Sequence, residues 1–488
     1  MKQICLALVL VGTWILFTFC SFSQGTNIQK PIQYTLKSDF FLSTSSLPFW
    51  HYANQYNLTP KQQHFTSITQ IYLNIDYQKD SLKKHTHLLG WGSEVNGIVQ
   101  KSLSNKLKIV FPDFFLKLRL GSLEFWGGRR REIYGFVGDT TLTSGSFSWS
   151  SNAFPIPKIQ INTLGFIDVP FTNSLLQIHA TFAHGWLDTL AVDYGARVNT
   201  VKGYLHQKTL YIKIGRPSWR VNLYGGFNHQ AQWGGENQIW PDGLPPKEAW
   251  WAVVIGKPWQ GSRVGNHLGT LDLGMIWKLS DDKSLTFFRQ NIFDDGSLYN
   301  FLNIKDGLQG VTFRNRSTPN YTRTFTLEKI NLEWLNTTSQ GGDVFDFQQQ
   351  IFGRDNYFNH YVYPQGWSYK NEMIGTPFIP KQSDILNPLP TVKNLMTINN
   401  RVQVVHLGAS GWIDEWKWLV KASFSSNLGT YDYPFPTPLK QFSGLLQIQK
   451  ELPWLQGIDW TTSIAFDSGL LYEPSLGIHL GLRKRGFF

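Results

Sequence analysis

Ser475-Leu476-Gly477-Ile478-His479-Leu480-Gly481-Leu482-Arg483 alternates without a break. Leu476, Ile478, Leu480 and Leu482 fall on one side, with Gly477, His479, Gly481 and Arg483 on the other. A side-chain period of two is the geometry of an extended strand, so this stretch predicts a strand with one apolar and one polar face. Two aromatic residues, Phe487 and Phe488, follow it.

An alternating strand that closes on an aromatic resembles the C-terminal signal by which bacterial outer-membrane barrels are recognised for assembly. A soluble sandwich can also end this way, so the start of the chain matters. Lys2, the apolar run 4–19 and Ser21-Phe22-Ser23 read as an export signal with a small-x-small cleavage site. Residues 1–23 are expected to leave, and the mature chain to begin at Gln24. The only cysteines, Cys5 and Cys20, would leave with them. Bulky Phe19 argues against lipidation of Cys20, because a lipoprotein signal needs a small residue there. The exported chain then has no thiol for a disulfide, a nucleophile or a metal site.

Composition points the same way. Mean hydropathy is −0.23, and no later segment approaches the ~20 consecutive apolar residues of a membrane helix. Aromatics nevertheless make up 15% of the chain, with 20 Trp, 19 Tyr and 35 Phe. Charged residues are 16%, below the roughly 25% of a soluble domain. A transmembrane barrel needs this balance: lipid-facing apolar residues alternating with polar lumenal ones, and aromatic girdles at both interfaces. A large secreted β-sandwich or β-helix is the alternative class.

Strand-like alternation recurs along the chain. Leu116, Leu118 and Leu120 alternate with Lys117, Arg119 and Gly121, and Leu176, Ile178, Ala180 and Phe182 with Gln177, His179 and Thr181. Leu210, Ile212 and Ile214 oppose Tyr211 and Lys213, and segments 402–407, 416–424, 445–448 and 458–466 read similarly. Turn residues separate them, as at Asp294-Asp295-Gly296. The expected fold is all-β, a single transmembrane antiparallel barrel of roughly 16–18 strands. Residues 67–488 would form the barrel, and the less strand-like 24–66 a periplasmic or plug segment.

Three polar-aromatic clusters carry candidate chemistry. The first is Arg129, Arg130, Arg131 and Glu132, after Trp126-Gly127-Gly128. The second is His206 and Lys208 with Asn228, His229, Gln230 and Trp233. The third is Asp355, Asn356, His360 and Trp367. Arg recognises carboxylates bidentately, Lys offers a point charge, and Trp and Tyr faces stack on sugar rings. Each cluster also has a plainer reading: strand-end arginines that snorkel to lipid phosphates or form interior ion pairs, a lumenal hydrogen-bond network, and an ordered loop.

The clusters, with Leu47-Pro48-Phe49-Trp50, Phe287-Phe288-Arg289-Gln290, Asp306-Gly307-Leu308-Gln309-Gly310 and Asn336-Thr337-Thr338, resemble the capsule-assembly Wzi family in its Bacteroidetes-type form. The resemblance runs from about Leu47 to about Phe378. It implies an outer-membrane β-barrel that attaches or organises capsular polysaccharide. Partners expected from it are capsular or other surface polysaccharide, outer-membrane lipid, and the barrel-assembly and polysaccharide-export machineries. The studied type carries a periplasmic helical element near its N-terminus, whereas residues 24–66 show no helical pattern here.

Catalysis has little support in the sequence. There is no HExxH, phosphate-binding Gly-rich loop or G-x-S-x-G elbow, and histidines lack ligand spacing. Neither a cofactor nor a metal is expected. Nucleic acid is a poor partner, since the net charge of +11 is modest for the length and the export signal directs the chain out of the cytoplasm. The expected function is non-catalytic binding or assembly of surface polysaccharide at the outer membrane of a Gram-negative bacterium. A diffusion porin is the alternative. An outer-membrane hydrolase using Glu132 with Glu236, or His206, is third.

Overall fold

The computed structural model describes residues 32–488, apart from 78–88, 103–106, 138, 140, 194, 260–261, 295–301, 318–324, 347, 349–350 and 387–391. The expected export signal lies outside the described residues. One antiparallel sheet closes on itself as a barrel of eighteen wall strands. The first nine are β1 (Gln33–Ser43), β2 (Phe65–Ile75), β3 (Leu89–Ser102), β4 (Lys108–Leu120), β5 (Leu123–Arg129), β6 (Lys158–Thr163, continued by Ile167–Asp168), β7 (Leu176–Ala191), β8 (Thr200–Ile214) and β9 (Val221–Trp233). They are followed by β10 (Asn266–Lys278), β11 (Lys283–Asp294), β12 (Gly307–Asn315), β13 (Thr326–Asn336), β14 (Val402–Ile413), β15 (Trp416–Gly429), β16 (Pro434–Leu452), β17 (Ile458–Gly469) and β18 (Ser475–Phe487). Closure removes the unpaired edge that an open sheet would expose to lipid.

The closing seam is β1 against β18, in register from Gln33↔Phe487 to Ser43↔Gly477. Beyond it, Phe488 donates its N–H to Ile32 O, and its ring lies 4.7 Å from Tyr34. The final strand takes the two faces its alternation predicts. Leu476, Ile478 and Leu480 are exposed on the outside. Gly477 faces the lumen, where a Cβ would press on Pro48 and His51. His479 faces it too and bonds Asp39 at 2.8 Å.

One boundary moves. The 24–66 segment was expected outside the wall, but Gln33–Ser43 is a wall strand, paired with both β2 and β18. Its pattern hides this because Ser38 interrupts the apolar face while Asp39 and Phe41 point inward to His479 and His51. Among the described residues of that segment, 44–64 turn into the lumen, through α1 (Phe49–Tyr52), a single helical turn.

The outer face is apolar: Leu116, Leu118, Leu273, Val405, Leu446 and Ile464 are all exposed. Tryptophans ring both ends. Trp91, Trp219, Trp277, Trp416 and Trp454 are exposed near the chain termini, and Trp186, Trp251 and Trp334 near the other rim. This is the pattern of a lipid-facing band between two aromatic girdles. The end with the termini has the tight connections 121–122 and 414–415, while the opposite end carries the long segments 44–64, 130–157, 234–265 and 337–401.

Segments 44–64, 130–157 and 337–401, with Ile239 from 234–265, fill the lumen from the loop end. Phe49, Trp50, Phe147, Trp149, Tyr357, Phe358, Trp367 and Phe378 join wall residues such as Leu205, Leu268 and Val404 in one hydrophobic core. Polar wall residues hold the insertion in place. Glu333 accepts the N–H and hydroxyl of Ser144 at 2.9 and 2.5 Å. Asp467 accepts the Phe49 N–H at 2.8 Å, and Gln290 the Phe147 N–H at 3.0 Å. Buried carboxylates and amides of this kind are stable only when bonded, so each fixes one loop position.

Candidate functional site

The first cluster is the start of the inserted segment 130–157. Arg130 Nη1 lies 2.7 Å from Glu124 Oε1, with its guanidinium over the Phe115 ring. Arg131 Nε lies 2.6 Å from Asp113 Oδ2, and its backbone N–H bonds the other oxygen at 2.7 Å. Glu132 meets Lys158 at 2.5 Å and accepts from Tyr134 and Gln160. Arg129 lies over Phe154. Three of these four side chains are therefore members of interior ion pairs, the plainer of their two readings.

They also border a cavity of about 510 Å³. Its walls include Tyr56, Arg130, Arg131, Glu132 and Tyr134 from the inserted segments, and Asn162, Thr181, Thr209, Tyr211 and Tyr224 from the barrel. Residues 130–136 form its roof. Gly135 (φ 89) lets the roof pass the wall closely, since a Cβ would sit 2.8 Å from Gln290 and from Ser146. Asp272 holds the next residue through the Phe136 N–H at 3.3 Å and accepts from Tyr211 at 3.1 Å. The cavity lies in the half of the lumen nearer the chain termini. Sequence reasoning found the arginines but missed Asn162, Thr181, Thr209, Tyr211 and Tyr224. The signal was available, because each occupies a lumenal position two residues from another.

The second cluster is split by the wall. Counting in twos from exposed Leu210, Ile212 and Ile214 puts His206 and Lys208 on the outer face. Exposed Val221 and Leu223 likewise put His229 and Trp233 outside. The lumenal-network reading is thus corrected for these four. Asn228 and Gln230 do face inward: Asn228 bonds Ser148 at 3.1 Å and accepts from Gln230.

After the single turn α2 (Glu236–Ile239), the chain runs into α3 (Pro246–Ile255), which covers the outward residues. Pro246 starts this helix, and Gly256 (φ 70) ends it in the left-handed conformation. Its Ala249, Ala252 and Val253, at helical spacing, pack on Ala231 and Trp233. Trp250 donates to His184 at 3.1 Å, and Lys208 donates to Val254 O. His229 and His267 are 2.8 Å apart, nitrogen to nitrogen. His206 is fully buried, its ring against those of Phe182 and His184. Among the described residues, no group of His, Asp and Glu is arranged to hold a metal.

The third cluster is interior to the loops. Trp367 is 1% exposed and donates to Ser148 O at 2.9 Å. Asn356 accepts from Asn400 and Asn359 at 2.5 and 2.9 Å, and Asp355 from Asn303 at 2.6 Å. His360 accepts the N–H groups of Val362 and Tyr363, and burial pushes its pKa down to about 3. Lys61 lies 2.7 Å from Glu372 and 2.6 Å from Asp384. Burial pulls the Lys61 ammonium down, but the two carboxylates outweigh it and hold its pKa above the ordinary value.

Aromatic groups do reach the surface at the loop end. Phe345, Tyr361 and Tyr433 are exposed, and Arg354 pairs with Asp432 beside the Tyr431 ring. Arg401 covers that ring at 3.8 Å.

No family model and no curated protein matches the chain. Among solved structures, one similar protein is Wzi, described as an outer membrane protein involved in group 1 capsule assembly in Escherichia coli and as a carbohydrate-binding β-barrel. It aligns with TM-score 0.54 and 12% identity, covering 92% of this chain and 84% of that one. OccK5 (OpdH) of Pseudomonas aeruginosa aligns at 0.48 and 9%, covering 94% and 98%. OprD of the same organism aligns at 0.45 and 9%, covering 96% and 97%. The likeness to Wzi shows the outer-membrane β-barrel fold.

Proposed function

We propose that this chain is a non-catalytic outer-membrane barrel that binds a surface polysaccharide and helps to assemble or retain it. The observation that carries this reading is the hydrophobic core shared by the inserted loops and the wall. A diffusion porin needs a water path through its lumen, and a hydrophobic core of buried side chains obstructs that path where it lies. A barrel filled in this way acts by what it binds at its ends.

Two further lines support the reading. Short motifs of the sequence resemble the Wzi family, and the Escherichia coli Wzi barrel, described as carbohydrate-binding, shares the fold. The loop end presents exposed Phe345, Tyr361 and Tyr433, and Arg354 beside the Tyr431 ring, groups of the kinds that suit sugar rings bearing carboxylates. A hydrolase reading gains nothing from Glu132, whose two oxygens are engaged by Lys158, Tyr134 and Gln160.

The test is genetic. Deleting the gene should leave polymer synthesis intact and release polymer into the medium. Cell-bound polymer at the parental level would overturn the reading.

A further inference from the structure

We infer that the 510 Å³ cavity is a second binding site, for a short neutral oligosaccharide, entered from the periplasm. The volume falls within the ~300–1,000 Å³ of small-molecule sites. Its chemistry then selects the ligand class.

The charged groups on its walls already have partners. Arg130 pairs with Glu124, Arg131 with Asp113, and Glu132 with Lys158. Paired in this way, the walls carry balanced charge and offer an anionic ligand no uncompensated cation to repay its desolvation. A neutral ligand leaves all three intact.

What the cavity offers freely is hydroxyls and aromatic faces. Thr181 and Thr209 sit directly opposite each other on β7 and β8. They are 6% and 5% exposed, and among the described residues neither hydroxyl has a protein partner. Both line the cavity. A hydroxyl that faces the cavity both donates and accepts, so each can bond a ligand hydroxyl without breaking a bond within the protein. Beside them, Tyr224 packs against Phe136 at 4.6 Å and Phe166 at 5.6 Å. Aromatic faces next to hydroxyls suit a sugar ring, which presents C–H faces and O–H edges. Phe166, 37% exposed at the mouth, lies at the end with the chain termini and tight turns. In bacterial outer-membrane barrels that end is periplasmic.

Two experiments test this with the full mature chain in detergent and in cells. In the first, maltotriose, cellotriose and triacetylchitotriose are titrated by calorimetry against wild type and a Thr181→Val/Thr209→Val variant, whose shape is kept. At least one trisaccharide should bind, and the variant should weaken it about tenfold, the loss of two hydrogen bonds. No binding by any of the three, or equal binding by the variant, overturns the inference. Binding of the native surface polymer by the variant should be unchanged, so failure of this site and failure of the surface reading are distinguishable.

The second uses an Asn162→Cys variant, single-cysteine once the signal is cleaved, and a membrane-impermeant maleimide. Labelling should require permeabilised outer membranes and should fall when the bound trisaccharide is present. Labelling of intact cells overturns the assigned side of entry.

Discussion

Arg131 and Asp113 are joined twice, by the guanidinium at 2.6 Å and by the Arg131 backbone N–H at 2.7 Å. Asp113 is 1% exposed, and Asn96 bonds it from the next strand at 2.9 Å. One buried wall carboxylate thus fixes the point where residues 130–157 leave the barrel and turn inward.

Replacing Arg131 with Gln should therefore weaken the barrel rather than its grip on polymer. Removing one partner of a buried pair typically costs about 3–5 kcal/mol, because a charge is left uncompensated. The temperature at which the folded band converts in unheated-versus-heated gel electrophoresis should fall. Polymer binding by the folded fraction should match wild type.

Lys61 joins two inserted segments through Glu372 and Asp384. Lys61→Ala would leave both carboxylates enclosed, with Lys381 at 3.6 Å from each. Limited proteolysis from the loop end should cut within 337–401 several-fold faster, while the wall stays intact. An unchanged cleavage rate would show that the pair contributes little.

Acid should loosen the loops. Burial holds His51 and His360 neutral, with pKa values down at about 3, below the ordinary 6.5. A histidine with a depressed folded pKa contributes its full stability above the unfolded value and loses it as pH falls towards the folded value. Protease protection of the loops should thus be flat above pH ~6.5 and decline from there towards pH ~3. A His360→Asn variant should show a shallower decline.

The outer helix makes a separate prediction. Ala249 is fully buried against the wall, so Ala249→Glu would force a carboxylate into an apolar contact. α3 should lift and His206 become reactive towards diethylpyrocarbonate, whereas wild-type His206 stays protected. Equal reactivity in the two proteins would mean that the helix does not cover this face.

The barrel was legible because a wall strand repeats every two residues, and β18, β7, β8 and the Leu116–Leu118–Leu120 face keep that repeat cleanly. β1 was not, since Ser38 breaks its outer face and its inward residues are chosen to meet α1 and His479. The facing of His206 and His229 was readable by counting from Leu210 and Leu223. What concealed it is that these polar residues sit on the apolar face, which is tolerable only because α3 covers them. No local pattern announces a helix folded back over a wall. The third cluster was found as a motif series, but its Asp355 and Asn356 bond Asn303 and Asn400, far along the chain, and such tertiary pairings leave no periodic trace.

The most direct measurement is binding of the producing strain's purified surface polysaccharide to the detergent-solubilised protein, compared with a Tyr361→Ala/Tyr433→Ala/Arg354→Gln variant. Saturable binding by wild type, weakened about tenfold or more in the variant as stacking and charge contacts are lost, is expected. No binding to the native polymer, together with steady ion-conducting steps in planar bilayers, would contradict the proposed function and leave a porin.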